Sequence, residues 1–162
     1  MSEGWGDFFV AVAGAAAALA GLIIVAMSVT IKEILASRTL PSRAAATVSS
    51  LVLILVLAVV GLIPHQADAA LGVEIVVASV IGFAPPLLMA QRVLTDTTFH
   101  AGVATRVFRV VVGLLPVLLA LIGGVLVIAG ASSGLFVVAA AIALVFVTSM
   151  LNAWVLLVEI QR

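Results

Sequence analysis

The chain has 162 residues, 65% of them hydrophobic and 9% charged, with seven basic and seven acidic side chains and a formal net charge of zero. Soluble domains are roughly half apolar and about a quarter charged, and one small core cannot hide this much apolar surface from water; the mean hydropathy of +1.47 instead marks helices whose outer faces meet lipid. A neutral chain without a basic run suggests no nucleic-acid partner on electrostatic grounds, and the lack of cysteine excludes disulfides, thiolate metal sites and thiol catalysis or lipidation.

Five apolar stretches have the ~20 residues that a spanning helix needs: 8–31, 44–63, 69–90, 109–130 and 134–157. The expected fold is an all-α, polytopic transmembrane bundle forming one membrane domain. The chain opens MSEGWGDFF, with Glu3 and Asp7 as its first charges and Lys32 as its first basic residue. A signal peptide opens with positive charge, so 8–31 reads as a retained helix. Its segment Ala11–Gly21, AVAGAAAALAG, has nine Ala or Gly among eleven residues. Small residues let helix backbones approach closely in lipid. Gly14, Ala18, Gly21, Val25 and Ser28 form one continuous stripe there. Such a stripe serves one of three placements: the centre of the chain's own bundle, a contact between copies that lines a pore, or a dock for another membrane subunit. The stripe ends in Ser28, Thr30, Lys32 and Glu33, an interface marker or an inner pore mouth.

Thr39 and Ser42 are candidate N-caps of the second span, with Pro41 suited to its first turn. A short loop then carries His65 and Asp68, one helical turn apart but too sparse for a metal site; no metal, cofactor or catalytic residue is expected. Glu74 lies inside the third stretch, where a charge is costly and by default a functional candidate. Asp7, Asp68 and Glu74 together would make an acidic outer mouth that concentrates cations. Pro85-Pro86 should bend or end the third helix. In the following loop Thr95–Thr98 reads as a cap, and Phe99, Val103 and Val107 recur at helical spacing. The fourth helix is therefore expected to start early, or a short helix to lie on the membrane surface. His100 stands near Asp96 in this loop, a solvated histidine or a pH sensor. Pro116 should kink the fourth span, with Gly123-Gly124 a second soft point. In the fifth span Ser149 and Asn152 share a face beside Thr148; Asn152, the candidate polar residue within the membrane, would hydrogen-bond a neighbouring helix or line a water path.

Lys32, Arg38 and Arg43, then Arg92, Arg106 and Arg109, and finally Arg162 all fall on one side of these spans, opposite Glu3, Asp7, Asp68 and Glu74. The positive-inside bias predicts a cytoplasmic carboxyl terminus, an outer amino terminus and residence in the cell membrane. Trp5, Phe8 and Phe9 would form the outer aromatic belt, and Trp154, Phe99 and Phe108 the inner one. Arg43 and Arg109 each precede a hairpin, and each hairpin returns to a Gln-Arg pair, Gln91-Arg92 or Gln161-Arg162. This pattern reads as one leading helix followed by a parallel duplication, unlike the inverted repeats of many transporters.

No zincin, nucleophile-elbow or phosphate-loop motif occurs, so no enzyme is expected. The foremost functional expectation is a small homo-oligomeric channel packed through its first helix within the lipid bilayer. The alternative is a non-catalytic accessory or scaffold subunit of a larger membrane complex. A small proton-coupled transporter relying on Glu74 comes third.

Overall fold

The computed structural model describes residues 4–36, 40–95 and 103–160. Among the described residues seven helices follow one another: α1 (Gly6–Val29), α2 (Ile31–Ala36), α3 (Leu40–Gly61), α4 (Asp68–Gly82), α5 (Ala84–Thr95), α6 (Val103–Ile128) and α7 (Gly134–Ile160). Five stretches are long and apolar enough to cross a bilayer, namely Gly6–Val29, Leu40–Gly61, Asp68–Leu88, Val110–Ile128 and Gly134–Trp154. The chain is an all-helical, multi-pass membrane protein. Its fourth spanning helix does begin early, at Val103. Pro41 falls in the first turn of α3, and Ser42 lies inside that helix. Thr95 closes α5 instead of capping α6. Glu3, Arg38, Thr39, Asp96, Thr97, Thr98, Phe99, His100, Gln161 and Arg162 lie outside the described residues.

The spanning stretches alternate in direction, so Phe9, Gly61, Gly72, Ile128 and Phe136 gather at one end of the bundle. Helix α6 packs on α4 and α7, and α3 packs on the same two from the other side. These four enclose a core that includes Leu51, Ile54, Leu57, Ile75, Val117 and Ile142. Helix α1 lies outside this ring, held mainly against α3. That overturns the reading of α1 as the middle of its own bundle. The physical reason is packing volume: α3, α4, α6 and α7 supply the branched side chains that fill the centre, while the Ala/Gly-rich α1 supplies few. Phe9, expected in the aromatic belt, is 1% exposed and seated against Gly61. A Cβ at Gly61 would stand 2.7 Å from the Phe9 ring, so the absent side chain is what admits the ring.

Glycines also set the closest helix contacts. Added Cβ atoms at Gly72 and Gly124 would lie 2.9 and 3.2 Å from each other's carbonyl oxygens. The neighbouring Gly123 faces the other way, and its Cβ would meet the Gly134 carbonyl oxygen at 3.1 Å. The pair at 123–124 therefore brings α6 into near-backbone contact with α4 and α7 at once. The expected soft point is a packing device: α6 runs unbroken through Pro116, Gly123 and Gly124.

The two hairpins share a burial pattern. Burial over 71–84 matches burial over 141–154 at all fourteen positions. Shifting α3 by 66 residues onto α6 pairs buried Leu51, Ile54, Leu57 and Ala58 with buried Val117, Ala120, Gly123 and Gly124. The halves differ where the glycines stand: Leu57 and Ala58 occupy the places of Gly123 and Gly124. Hairpin α6–α7 is accordingly tight, while α3 and α4 pack less closely. Helix α1 takes on α3 the place that α7 takes on α6, since Gly61 meets Phe9 and the matching Val127 meets Gly134.

Most hydroxyls in the apolar layer satisfy themselves. Ser28, Ser49, Ser50 and Thr148 donate to the carbonyl four residues back at 2.7–2.9 Å, as hydroxyls in apolar helices commonly do. Ser79 is the exception: it is fully buried and its Oγ has no partner among the described residues. An orphaned buried hydroxyl carries an uncompensated desolvation penalty. Ser79→Ala is therefore expected to stabilise the bundle by about 1 kcal/mol, read as a shifted midpoint in reversible detergent unfolding.

Candidate functional site: the outward face of the first helix

Helix α1 buries Phe9, Val12, Ala16 and Ile23. At about 100° per residue these fall on one side of the helix, and Gly14, Ala18, Gly21, Val25 and Ser28 fall about 180° away. All five of the latter are exposed. Nothing lies within 4 Å of a Cβ added at Gly14 or Gly21. Among the described residues, the stripe thus packs against no other part of the chain. Ser28 is already bonded to Ile24, so the face presents no unsatisfied side-chain donor to its surroundings.

The stripe spacing alternates four and three residues, the repeat of helices that wind around one another with a left-handed twist. The same repeat extends through Ala11 to Asp7 at one end and to Lys32 at the other, and all three are exposed. The seam therefore carries an acid at its first turn, small residues across the apolar layer and, past the interruption at Thr30, a base on α2. Between Asp7 and Lys32 it runs ~37 Å, the full apolar thickness of a bilayer and more. Thr30 interrupts the helix just before α2, its Oγ1 donating to the Ala26 carbonyl oxygen at 3.2 Å.

Aromatic contacts fix where the seam begins. The Trp5 ring meets Phe8 at 5.4 Å and Phe136 of α7 at 5.0 Å, both edge-on. Edge-to-face pairs of this kind are worth about 0.5–1.5 kcal/mol each. They pin the start of α1 across α3 to the start of α7 and hold Asp7 outward.

The other expected acidic residues are arranged differently. Asp68 and Glu74 sit on α4, which packs on α3 and α6 and not on α1. Asp68 starts α4, and Glu74 is half-buried, accepting a hydrogen bond from the Gln66 side-chain amide. Asp7 stands across α3 from both. No group of three or more His, Cys, Asp or Glu capable of holding a metal occurs among the described residues. His65 is exposed in the turn before α4, with a positive φ of 57°. Asn152 is half-buried on α7, one turn from fully buried Ser149. Trp154 is 69% exposed, in keeping with an interface residue.

No family model, curated protein or solved structure matches this chain.

One participant stands out only in three dimensions. By sequence Gln66 belongs to a plain loop, although an amide eight residues before a lone carboxylate signals a partner for it. Lys32, read from the sequence as an interface marker or an inner pore mouth below the stripe, is exposed at the start of α2.

Proposed function

We propose that this chain is the subunit of a small homo-oligomeric membrane channel, in which α1 helices from several copies surround a common axis. The observation that carries this reading is the exposed small-residue seam of α1, turned directly away from the face that holds α1 to its own bundle. Lipid tails gain nothing from so smooth a face, whereas another helix gains close van der Waals contact. The positive-inside bias orients the assembly with the acidic end outside and the basic end in the cytoplasm, in the cell membrane.

Copies in one orientation would bring Asp7 side chains together at the outer mouth and Lys32 side chains together at the inner one. Like charges repel in a closed seam but are solvated around a water-filled opening, and rings of charge are a common selectivity device. The outer carboxylates favour cation entry. The expected result is a stable complex containing only this chain, with cation-preferring conductance in planar bilayers. Asp7→Asn should lower the cation-to-anion permeability ratio about twofold or more. A protein that stays monomeric in mild detergents and lipid nanodiscs would remove the reading. Recovery of a fixed heterologous subunit instead would favour the accessory-subunit alternative, since the same face suits a foreign helix. Proton-coupled transport has less support, because Glu74 lies only ~9 Å along the helix from Asp68 and is engaged by Gln66.

A further inference from the structure

The third span is broken by its own chemistry. Pro85 and Pro86 have no N–H to offer the carbonyls of Ile81 and Gly82, their partners four residues back. Helix α4 stops at Gly82, the Phe83 N–H turns back toward Val80 and Ile81, and the ladder resumes only with Leu87 donating to Phe83. The Gly82 carbonyl is left without a donor from its own helix. In hydrocarbon an unmet backbone group costs several kcal/mol, and broken spanning helices are tolerated where they line a cavity.

Such a cavity lies at this break. It holds about 390 Å³ and is lined by Ser49, Val52 and Leu53 of α3 with Ile81, Gly82 and Pro85 across from them. Val52 and Ile81 are 46% and 71% exposed, so the cavity opens sideways onto the bundle surface that faces lipid. Gly82, whose carbonyl lacks a helical donor, and Ser49, whose hydroxyl proton is committed to Ala45 at 2.7 Å, both line it, so any polar group they offer there is an acceptor. The rest of the wall is apolar. The space far exceeds the ~30 Å³ of one water and falls in the range of small-molecule sites. The break stands ~22 Å along the span from Asp68, inside the ~30 Å hydrocarbon layer, below the level of charged headgroups.

We propose that this cavity is a lateral binding site for a lipid-soluble alcohol, aliphatic or phenolic. The hydroxyl donates to the Gly82 carbonyl, and the apolar body lies between α3 and the broken span. The site shares no residue with the α1 seam and stands whether or not the chain forms a channel.

The test uses the full chain in lipid nanodiscs and a photoreactive hexadecanol, compared with its methyl ether carrying the same photoreactive group. Labelled peptides are mapped by mass spectrometry. The alcohol is expected to label 48–56 and 78–85 about fivefold more than the ether, the discrimination of one net hydrogen bond, and unlabelled hexadecanol should compete. Val52→Trp, which fills the cavity, should abolish that labelling. Pro86→Ala restores an N–H that can serve Gly82, so it should bring alcohol and ether to equal labelling while the cavity persists. Equal labelling by both probes in the unaltered chain overturns the proposal, as does label spread evenly over the exposed faces of all the helices. Undiminished labelling in Val52→Trp would overturn it as well, and serves if Pro86→Ala does not fold.

Discussion

Gly72→Leu is expected to cost the bundle at least ~3 kcal/mol, the top of the range for forcing volume into a packed core. The reason is what the new atoms would strike. A Cβ at Gly72 would stand 2.8 Å from the Ile128 backbone nitrogen and 2.9 Å from the Gly124 carbonyl oxygen. Backbone cannot rotate away as a side-chain tip can, so α4 and α6 must separate along their length. The α4–α6 seam that would open is one of the two tightest helix pairings in the fold, and Ile75, Val76 and Ile128 all lean on it. Gly124→Ala is gentler, since its Cβ would first meet the side-chain ends of Ile75 and Val76 at 2.9 Å. Helicity followed through a reversible detergent titration should rank the variants Gly72→Leu, then Gly124→Ala, then the unaltered chain. If Gly72→Leu unfolded at the same midpoint as the parent, α4 and α6 would not be in backbone contact.

This ranking marks a boundary in what the amino-acid order conveys. Span number and span position follow from apolar run length, because lipid imposes length directly on each helix, and the early start of α6 follows from the helical spacing of Val103 and Val107. The break near Pro85-Pro86 follows from missing donors, a covalent fact. Which face of a helix turns inward is another matter. In α1 nearly every residue is apolar, so no polar stripe marks the solvent side as it would in water. The Ala/Gly seam is visible as a pattern, yet its direction is not: small residues suit a central helix and an outer contact equally. Gly72 and Gly134 are unremarkable in the sequence because their meaning depends on partners 52 and 11 residues away, Gly124 and Gly123. Likewise the three acidic residues share an end of the molecule by topology alone, and the intervening α3 separates Asp7 from the other two.

Replacing Gly14 and Gly21 together by leucine is expected to abolish the oligomer while leaving each chain folded. Neither position has any atom within 4 Å of an added Cβ, so the monomer should accept both side chains, and leucine is the better helix former by close to 1 kcal/mol per site. In the assembly the same side chains would stand in the seam and hold neighbouring α1 helices apart. The apparent association constant should fall on the order of 100-fold or more, about 2.8 kcal/mol. The absence of cysteine from the chain makes the direct measurement clean. Single cysteines placed at Ala18 or Gly21 should form intermolecular disulfides on mild oxidation, whereas one at Val125, exposed on α6, should not. The decisive comparison is between the two glycine classes. Leucine at Gly72 should damage folding first, and assembly only as a consequence. Leucine at Gly14 and Gly21 should leave the unfolding midpoint near that of the parent and remove assembly alone. Should the Gly14/Gly21 pair leave the oligomer intact, the outward seam is a lipid-facing surface and the axis of assembly lies elsewhere.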